Sequence, residues 1–305
     1  MIAHFYLMAE SFSKNDELTN EEISEKIKNL LKDIVLINQD KDFNKFFTNY
    51  VDLYPQLFYD RYTMEEFICT PIKLKEEGID RDVINAVQKI LEKSRETKIT
   101  SKEVIDNLLD WNDNENCHGI IGFNNIPEVE DHLQIIYGIE GWYKFRRYFL
   151  SLYPKDAIFF INECKKYFPN LFFHERNKDT IGVILHNCTK RLIYHLTALN
   201  DKFRKSQGND RNRTEVLEHF SVSNNLDTTA SLEGNAERKP SLTFEFYNSN
   251  ATLESICCEP HLKLCYNDGY PGDSSYSNER RVYFHEGKAN ISFGKILIGH
   301  IGSHL

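Results

Sequence analysis

The sequence predicts an α+β protein in which a large helical N-terminal region is followed by a small antiparallel β module. Three patterns carry this prediction: helical spacing of apolar residues up to about residue 205, a polar stretch after it, and period-two alternation after residue 240. The 305 residues exceed the common single-domain size of about 100–150 residues, so more than one domain is expected.

Helix starts can be placed in the first third of the chain. Thr19 and Thr100 each precede a glutamate by three residues, which matches the capping box that satisfies the first free backbone N–H groups of a helix. Asp80 is a third candidate cap. A longer helix is predicted from Asp179 to about Arg204, because its apolar residues keep to one stripe and no proline interrupts it.

These patterns also predict the domain organisation. The predicted parts are a helical domain (1–205), a polar linker (206–240) and a C-terminal β module (241–305). The helical domain carries a candidate internal duplication, because residues 41–60 and 155–174 share six of twenty residues when aligned. The two related helical units would then divide near 112–130. Two similar aromatic turns within one helical domain would give the same pattern.

Composition narrows the function classes. The formal net charge of -9 excludes a global basic field that would gather nucleic acid, so any such contact must be local. Seven scattered cysteines without a CxxC pair do not form a disulfide framework, and the first residues lack the pattern of a signal peptide. A cytoplasmic protein without a membrane span is expected. Since no phosphate-binding loop or dinucleotide fingerprint occurs, no cofactor is predicted.

The alternating C-terminal segments place polar side chains on common strand faces. Four strands are predicted, at 242–246, 261–265, 281–285 and 295–301. Alternation puts His261 and Lys263 on one face of their strand, and Arg281, Tyr283 and His285 on one face of theirs, which leaves Leu262, Leu264, Val282 and Phe284 for the core.

This polar set suggests a specific chemistry. Arg281 with Lys263 could bind a phosphate while a histidine or tyrosine moves a proton, which is the minimum for metal-independent cleavage of RNA by its own 2′-hydroxyl group. His261 and Lys263 are then the substrate-binding candidates. An ordinary solvated sheet face is the plainer interpretation of the same residues.

A metal centre is the rival interpretation of this segment. Cys257, Cys258, His261 and Cys265 supply thiolates and an imidazole within nine residues. If 261–265 is a strand, however, its ~3.3 Å rise per residue separates His261 from Cys265 by about 13 Å. One tetrahedral ion cannot easily join them, so no metal site is predicted.

The end of the chain resembles a known family. Residues 280–284 followed by 295–305 resemble the last strands of RelE/ParE-type toxins, where an Arg-x-Tyr/Phe strand pairs with a final apolar strand ending in Gly-His. The resemblance covers about residues 242–305 only. It implies an RNA-cleaving or otherwise toxic module, with Arg281, Tyr283, His285 and His300 at the catalytic positions.

Two functions follow, and the sequence leaves open whether the protein is an enzyme. The first is a cytosolic effector, a toxin or antiviral-defence ribonuclease, whose β module acts on RNA as a metal-independent endoribonuclease. The second is a non-catalytic interaction protein, an adaptor or an antitoxin or immunity partner, that binds another protein through its acidic helical region.

Overall fold

The structure, a computed structural model, describes residues 1–12, 18–40, 43–59, 62–208, 210–226, 228–265, 268 and 276–305. This part of the chain divides into two compact units, Met1–Arg146 and Arg147–Leu305. The stretch 206–240, which the sequence predicts as a linker, lies within the second unit. Within the described residues, no helix is both long and apolar enough to cross a membrane.

The first unit alternates strands and helices. In chain order its elements are β1 (Ile2–Leu7), α1 (Asn20–Ile37), β2 (Asn44–Thr48), α2 (Tyr50–Leu53), β3 (Leu57–Tyr59), β4 (Tyr62–Thr63), α3 (Met64–Cys69), α4 (Pro71–Glu76), α5 (Arg81–Glu92), β5 (Arg95–Glu96), α6 (Ser101–Asn107), β6 (Asn116–Ile121), β7 (Gln134–Ile135) and α7 (Ile139–Leu152), in which the unit boundary falls.

A parallel sheet forms the centre of the first unit. Its strand order among the described residues is β5-β2-β1-β6-β7, and every pairing in it is parallel. The order reverses at β1, as in doubly wound α/β sheets. Ala3 and Phe5 on β1 are fully buried. The prediction of a large helical N-terminal region is therefore wrong, because this unit is built on a parallel sheet, although the mixed α and β content is confirmed.

The predicted helix starts in this unit are confirmed. Thr19 and Thr100 each accept a backbone N–H and form complete capping boxes with Glu22 and Glu103. Asp80 caps α5 by accepting the backbone N–H of Asp82. These caps satisfy N–H groups that a helix start otherwise leaves without a partner.

In the second unit one strand lies among the helices and the other described strands follow them. In chain order its elements are α8 (Ala157–Tyr167), β8 (Leu171–Phe173), α9 (Asn177–Thr180), α10 (Thr189–Ser206), α11 (Arg213–Ser223), β9 (Thr243–Tyr247), β10 (Leu253–Cys257), β11 (His261–Cys265), β12 (Tyr276–His285) and β13 (Ile296–Ser303).

The predicted small antiparallel module is wrong in its composition. The predicted strands occur, but the sheet they form has the order β11-β12-β13-β8, and β8 pairs with β13 in parallel. Since β8 lies in the stretch predicted as helical, the sheet is not a separate C-terminal module. β9 and β10 form an antiparallel pair of their own. Taken over both units, parallel pairings predominate among the described strands.

Two other predicted segments differ from the structure. The predicted helix from Asp179 to Arg204 is interrupted, because His186 has a left-handed backbone (φ 71°) and α10 begins only at Thr189. The predicted linker 206–240 contains α11, whose Leu217 and Phe220 are buried in the core of the second unit. The polar residues of this stretch occupy its exposed positions, whereas a few apolar residues pack it against the core.

The two segments aligned as a duplication have different structures. Phe46 lies in strand β2, whereas its aligned partner Phe160 lies in helix α8. The likeness covers the end of a helix before each proline, at Leu53 in α2 and at Tyr167 in α8, and a short strand after it, at Leu57–Tyr59 and Leu171–Phe173. The aligned residues 41, 42 and 60 lie outside the described residues.

Candidate functional site

Three rings form a ladder across the sheet of the second unit. Tyr283 on β12 is opposite His261 on β11 and opposite His300 on β13. The ring centroids are 5.3 Å apart for His261 and Tyr283, and 6.1 Å apart for Tyr283 and His300. The alternation seen in the sequence therefore does bring these predicted site residues together.

The ladder is buried because both faces of the sheet are covered. Leu262, Leu264, Val282 and Phe284 pack into the core formed with α8, α10 and α11, as predicted. On the other face, Tyr283 packs with a second apolar cluster, whose members are Leu242, Phe244, Phe246, Ile256, Cys258, Ile291 and Leu297. Tyr283 is 0% exposed, and His261 and His300 are also buried. The interpretation as a solvated sheet face is therefore wrong for these three residues.

Arg281 forms the charged part of the site. Its Nη1 atom lies 3.1 Å from a carboxylate oxygen of Glu233 and donates to the hydroxyl of Tyr283 at 3.3 Å. The guanidinium Nε of Arg281 is buried, with no hydrogen-bond partner among the described residues. This nitrogen is therefore enclosed by the protein, and the contacts of the guanidinium with Glu233 and Tyr283 are made through Nη1.

A hollow of about 550 Å³ opens beside this ion pair. It is lined by Arg238, Glu279, Arg281, Ser303 and His304. Arg238 donates to Nε2 of His304 at 2.7 Å, and the Nδ1 atom of the same ring is 2.6 Å from the backbone oxygen of Leu305. These two contacts place the imidazole proton on Nδ1 and leave Nε2 as an acceptor.

Burial controls the protonation of the histidines. It lowers the pKa of His261 and of His300 to about 4, and it also lowers the pKa of His304. Burial raises the pKa of the Tyr283 hydroxyl. At neutral pH the imidazoles are therefore uncharged and the phenol keeps its proton, so only Arg238 and Arg281 carry positive charge at the hollow.

Of the other two predicted site residues, Lys263 lies beside this site and His285 lies apart from it. Lys263 is opposite Arg281 in the strand register and is partly exposed. His285 lines a separate hollow of about 470 Å³ together with Arg213, Cys257 and Glu286. Its Nδ1 atom accepts the backbone N–H of Gly287 at 3.1 Å. The structure therefore does not bring His285 into the ladder.

Several residues of the site were missed by sequence analysis. Glu233 and Arg238 lie in the stretch predicted as a linker, and no local pattern marked them as partners of Arg281 and His304. Ser303 and Glu279 follow from the extension of β13 and β12 beyond their predicted ends. His304 lies beyond the last predicted strand, 295–301, so no alternation assigned it to a strand face.

The described residues give no clear metal site. No group of three or more histidine, cysteine, aspartate or glutamate side chains in them is placed to hold an ion.

Comparison of the chain with family models, with curated proteins and with solved structures gives no match. The geometry of the site is accordingly the main guide to its chemistry.

Proposed function

We propose that the protein is an RNA-directed effector of the cytoplasm, a toxin or defence ribonuclease, that binds an RNA phosphate in the hollow of the second unit. The convergence of Arg238, Arg281 and the imidazole of His304 on one hollow supports this proposal. Arginine is well suited to phosphate because its planar guanidinium offers paired donors. The proposal keeps the class of activity that the resemblance to RelE/ParE-type toxins implies.

The proposed reaction is an internal transesterification of RNA. The 2′-oxygen attacks the adjacent phosphorus while Nε2 of His304 accepts the 2′-hydroxyl proton. The bond from phosphorus to the 5′-oxygen breaks, and that oxygen takes a proton from water. The products are a 2′,3′-cyclic phosphate and a 5′-hydroxyl end. Arg238 and Arg281 stabilise the charge that develops on the phosphate oxygens.

The resting contacts fit this sequence of steps. Arg238 donates to His304 Nε2, so a phosphate that draws the guanidinium towards itself frees the acceptor atom of the base. The lowered pKa of His304 keeps this atom unprotonated at neutral pH. In this proposal Tyr283 and His300 are positioning residues, because both are buried, and His285 has no role.

The test is cleavage of a labelled 20-nucleotide RNA in EDTA by the wild-type chain and three variants. H304Q removes the proton acceptor and R238A removes a donor that stabilises the phosphate charge, and each is expected to lower the cleavage rate at least about 100-fold. H285A is the matched control, because His285 lines the other hollow, and it is expected to cleave at the wild-type rate. Circular dichroism checks that all three variants fold.

Two results would overturn the proposal. One is a wild-type chain that leaves the RNA intact under all conditions in which it is folded. The other is equal cleavage by wild type, R238A and H304Q, which would assign the activity to another site or to a contaminant.

A non-catalytic interaction protein is the second candidate, and an acidic hollow in the first unit favours it. This hollow of about 860 Å³ is lined by Glu21, Glu25, Glu77 and Asp80, with Lys28 as the basic residue among its lining side chains. A basic segment of another protein would complement this charge. The double reversal E21K/E25K is expected to abolish such a complex in a pull-down, whereas R238A and H304Q would leave it intact.

A further inference from the structure

Phe293 occupies an unusual position in the second unit. It lies in the turn between β12 and β13, and its side chain is 99% exposed. Its backbone is left-handed (φ 58°, ψ 32°), and so is that of the preceding Ser292 (φ 46°). Bulky residues rarely adopt this conformation, and strain of this kind is retained where the surroundings enforce it.

The surroundings do hold this turn. The backbone N–H of Ser249, in the hairpin between β9 and β10, donates to the carbonyl of Asn290 at 2.7 Å. The guanidinium of Arg204, from α10, donates to the carbonyl of Gly294. The turn is therefore fixed from two sides, and it presents the ring of Phe293 to solvent instead of folding it onto the sheet.

Positive charge flanks the exposed ring. Arg204 reaches the turn through its hydrogen bond to Gly294, and Lys295 is two residues after Phe293. Among the described residues, neither side chain forms an ion pair with a carboxylate. An aromatic ring beside cations that have no acidic partner is the arrangement that binds single-stranded nucleic acid, since bases stack on the ring and phosphates meet the charges.

We propose that Phe293 is a base-stacking platform for single-stranded RNA, with Arg204 and Lys295 contacting the flanking phosphates. This inference rests on the proposed function for its ligand. The eight residues of β13 separate the turn from the hollow at Ser303, about 26 Å at ~3.3 Å per residue. A strand of several nucleotides is needed to span this length, so a dinucleotide cannot occupy both places.

The test measures binding without cleavage. A fluorescein-labelled 12-mer of 2′-O-methyl uridine lacks the attacking hydroxyl group, and its anisotropy is followed as the full chain is added in EDTA. F293A is expected to weaken binding about tenfold, as loss of one base–aromatic stack does. F293W is expected to restore it. Y137A, which removes a half-exposed aromatic ring of the first unit, is the matched control and should bind as wild type does.

A second arm uses vesicles of phosphatidylserine and phosphatidylcholine, because an exposed ring with flanking cations also suits an anionic membrane surface. Loss of vesicle sedimentation in F293A with unchanged RNA binding would overturn the inference in favour of a membrane contact. Equal RNA binding by wild type and F293A would overturn it as well, and so would a wild-type chain that does not bind the 12-mer.

The inference and the proposed function can fail separately. Cleavage lost in R238A with RNA binding unchanged in F293A leaves the function standing and rejects the platform. Weakened binding in F293A without any RNA cleavage by wild type supports the platform and rejects the catalytic proposal.

Discussion

The guanidinium of Arg281 lies 3.1 Å from the carboxylate of Glu233, and both side chains are about nine-tenths buried. Burial opposes the charge on Glu233, but the backbone N–H of Asn235 and the guanidinium of Arg281 hold the pKa of this carboxyl below its usual value. Each charge is thus tolerated in the interior because the other is present. The pair fixes the side of the hollow that we propose binds phosphate.

Removal of one member of this pair is expected to destabilise the fold. E233A leaves the Arg281 charge buried without its carboxylate, which costs about 3 kcal/mol in comparable buried pairs. The free energy of unfolding, measured by urea denaturation at pH 7, checks this value. E237A is the control, because Glu237 is an exposed acid of the same stretch, and it should shift the unfolding free energy by less than about 0.5 kcal/mol.

Replacing both members of the pair tests whether the stability lost in E233A comes from the Arg281 charge that is left buried without a partner. E233L/R281M removes both buried charges at once, so the double variant is expected to recover most of the stability that E233A loses. The loss of unfolding free energy in E233L/R281M is compared with the losses measured for E233L and for R281M alone. If the loss in the double variant equals the sum of the two single losses, this account of the ion pair is contradicted.

Acidification is expected to destabilise the chain between pH 6.5 and about pH 4. His261 and His300 have pKa values of about 4 in the fold, because burial disfavours their charged forms, whereas an unfolded histidine titrates near 6.5. The unfolded chain therefore binds protons first. Stability is fully present above pH 6.5 and decreases as the pH falls, by roughly 3 kcal/mol for each residue once pH 4 is reached.

Urea midpoints measured at intervals from pH 8 to pH 4.5 test this dependence. H300Q keeps an amide that can donate to the Ser303 carbonyl, as His300 Nε2 does at 2.8 Å, but it cannot titrate in this range. Its midpoint should therefore vary less with pH than that of wild type. H219Q, at an exposed position, should retain the wild-type slope. Parallel curves for wild type and H300Q would show that His300 is not the source.

Arg146 is expected to be essential for the stability of the first unit. It is 3% exposed and donates to the carbonyls of Met1 and Phe43 and to the side-chain oxygen of Asn44, at 3.1, 2.8 and 2.6 Å. R146M fills a similar volume but leaves these acceptors without that donor, at a cost of about 3 kcal/mol or more. Urea denaturation measures the loss, and an R146M midpoint equal to that of wild type would contradict it.

The sequence predicted β9, β11 and β12 because each alternates between apolar and polar residues, and it missed β10. It missed β1 because both faces of that strand carry large side chains: Phe5 faces the core, while His4 and Tyr6 form an aromatic cluster on the other face. Such a strand has no period-two signal. Parallel pairing also joins segments far apart in the chain, so no hairpin turn marks it.

Strand alternation also explains which part of the candidate site could be predicted. Alternation correctly grouped His261, Arg281 and Tyr283, since a strand fixes which side chains share a face. The partners of Arg281 and His304 could not be predicted, because Glu233 and Arg238 lie in the stretch 206–240, whose polar composition is typical of a linker. Glu233 shows the difficulty, since an acid in a polar stretch gives no sign that it will be buried against an arginine.

Gly299 provides a final test of how tightly the β9–β10 pair packs on the sheet. A Cβ atom at Gly299 on β13 would lie 2.5 Å from the ring of Phe244 and 2.7 Å from the sulfur of Cys258, both closer than real side chains approach. G299A is therefore expected to lower the free energy of unfolding by about 1–3 kcal/mol, the usual cost of overpacking. Gly234 has no heavy atom within 4 Å of the corresponding position, so G234A is the matched control and should be near neutral.

The double variant F244L/G299A should recover part of the loss, because the smaller side chain makes room for the methyl group. Urea denaturation of the four proteins decides the matter: equal stability of wild type and G299A would mean that the β9–β10 pair lies further from the sheet than the structure places it.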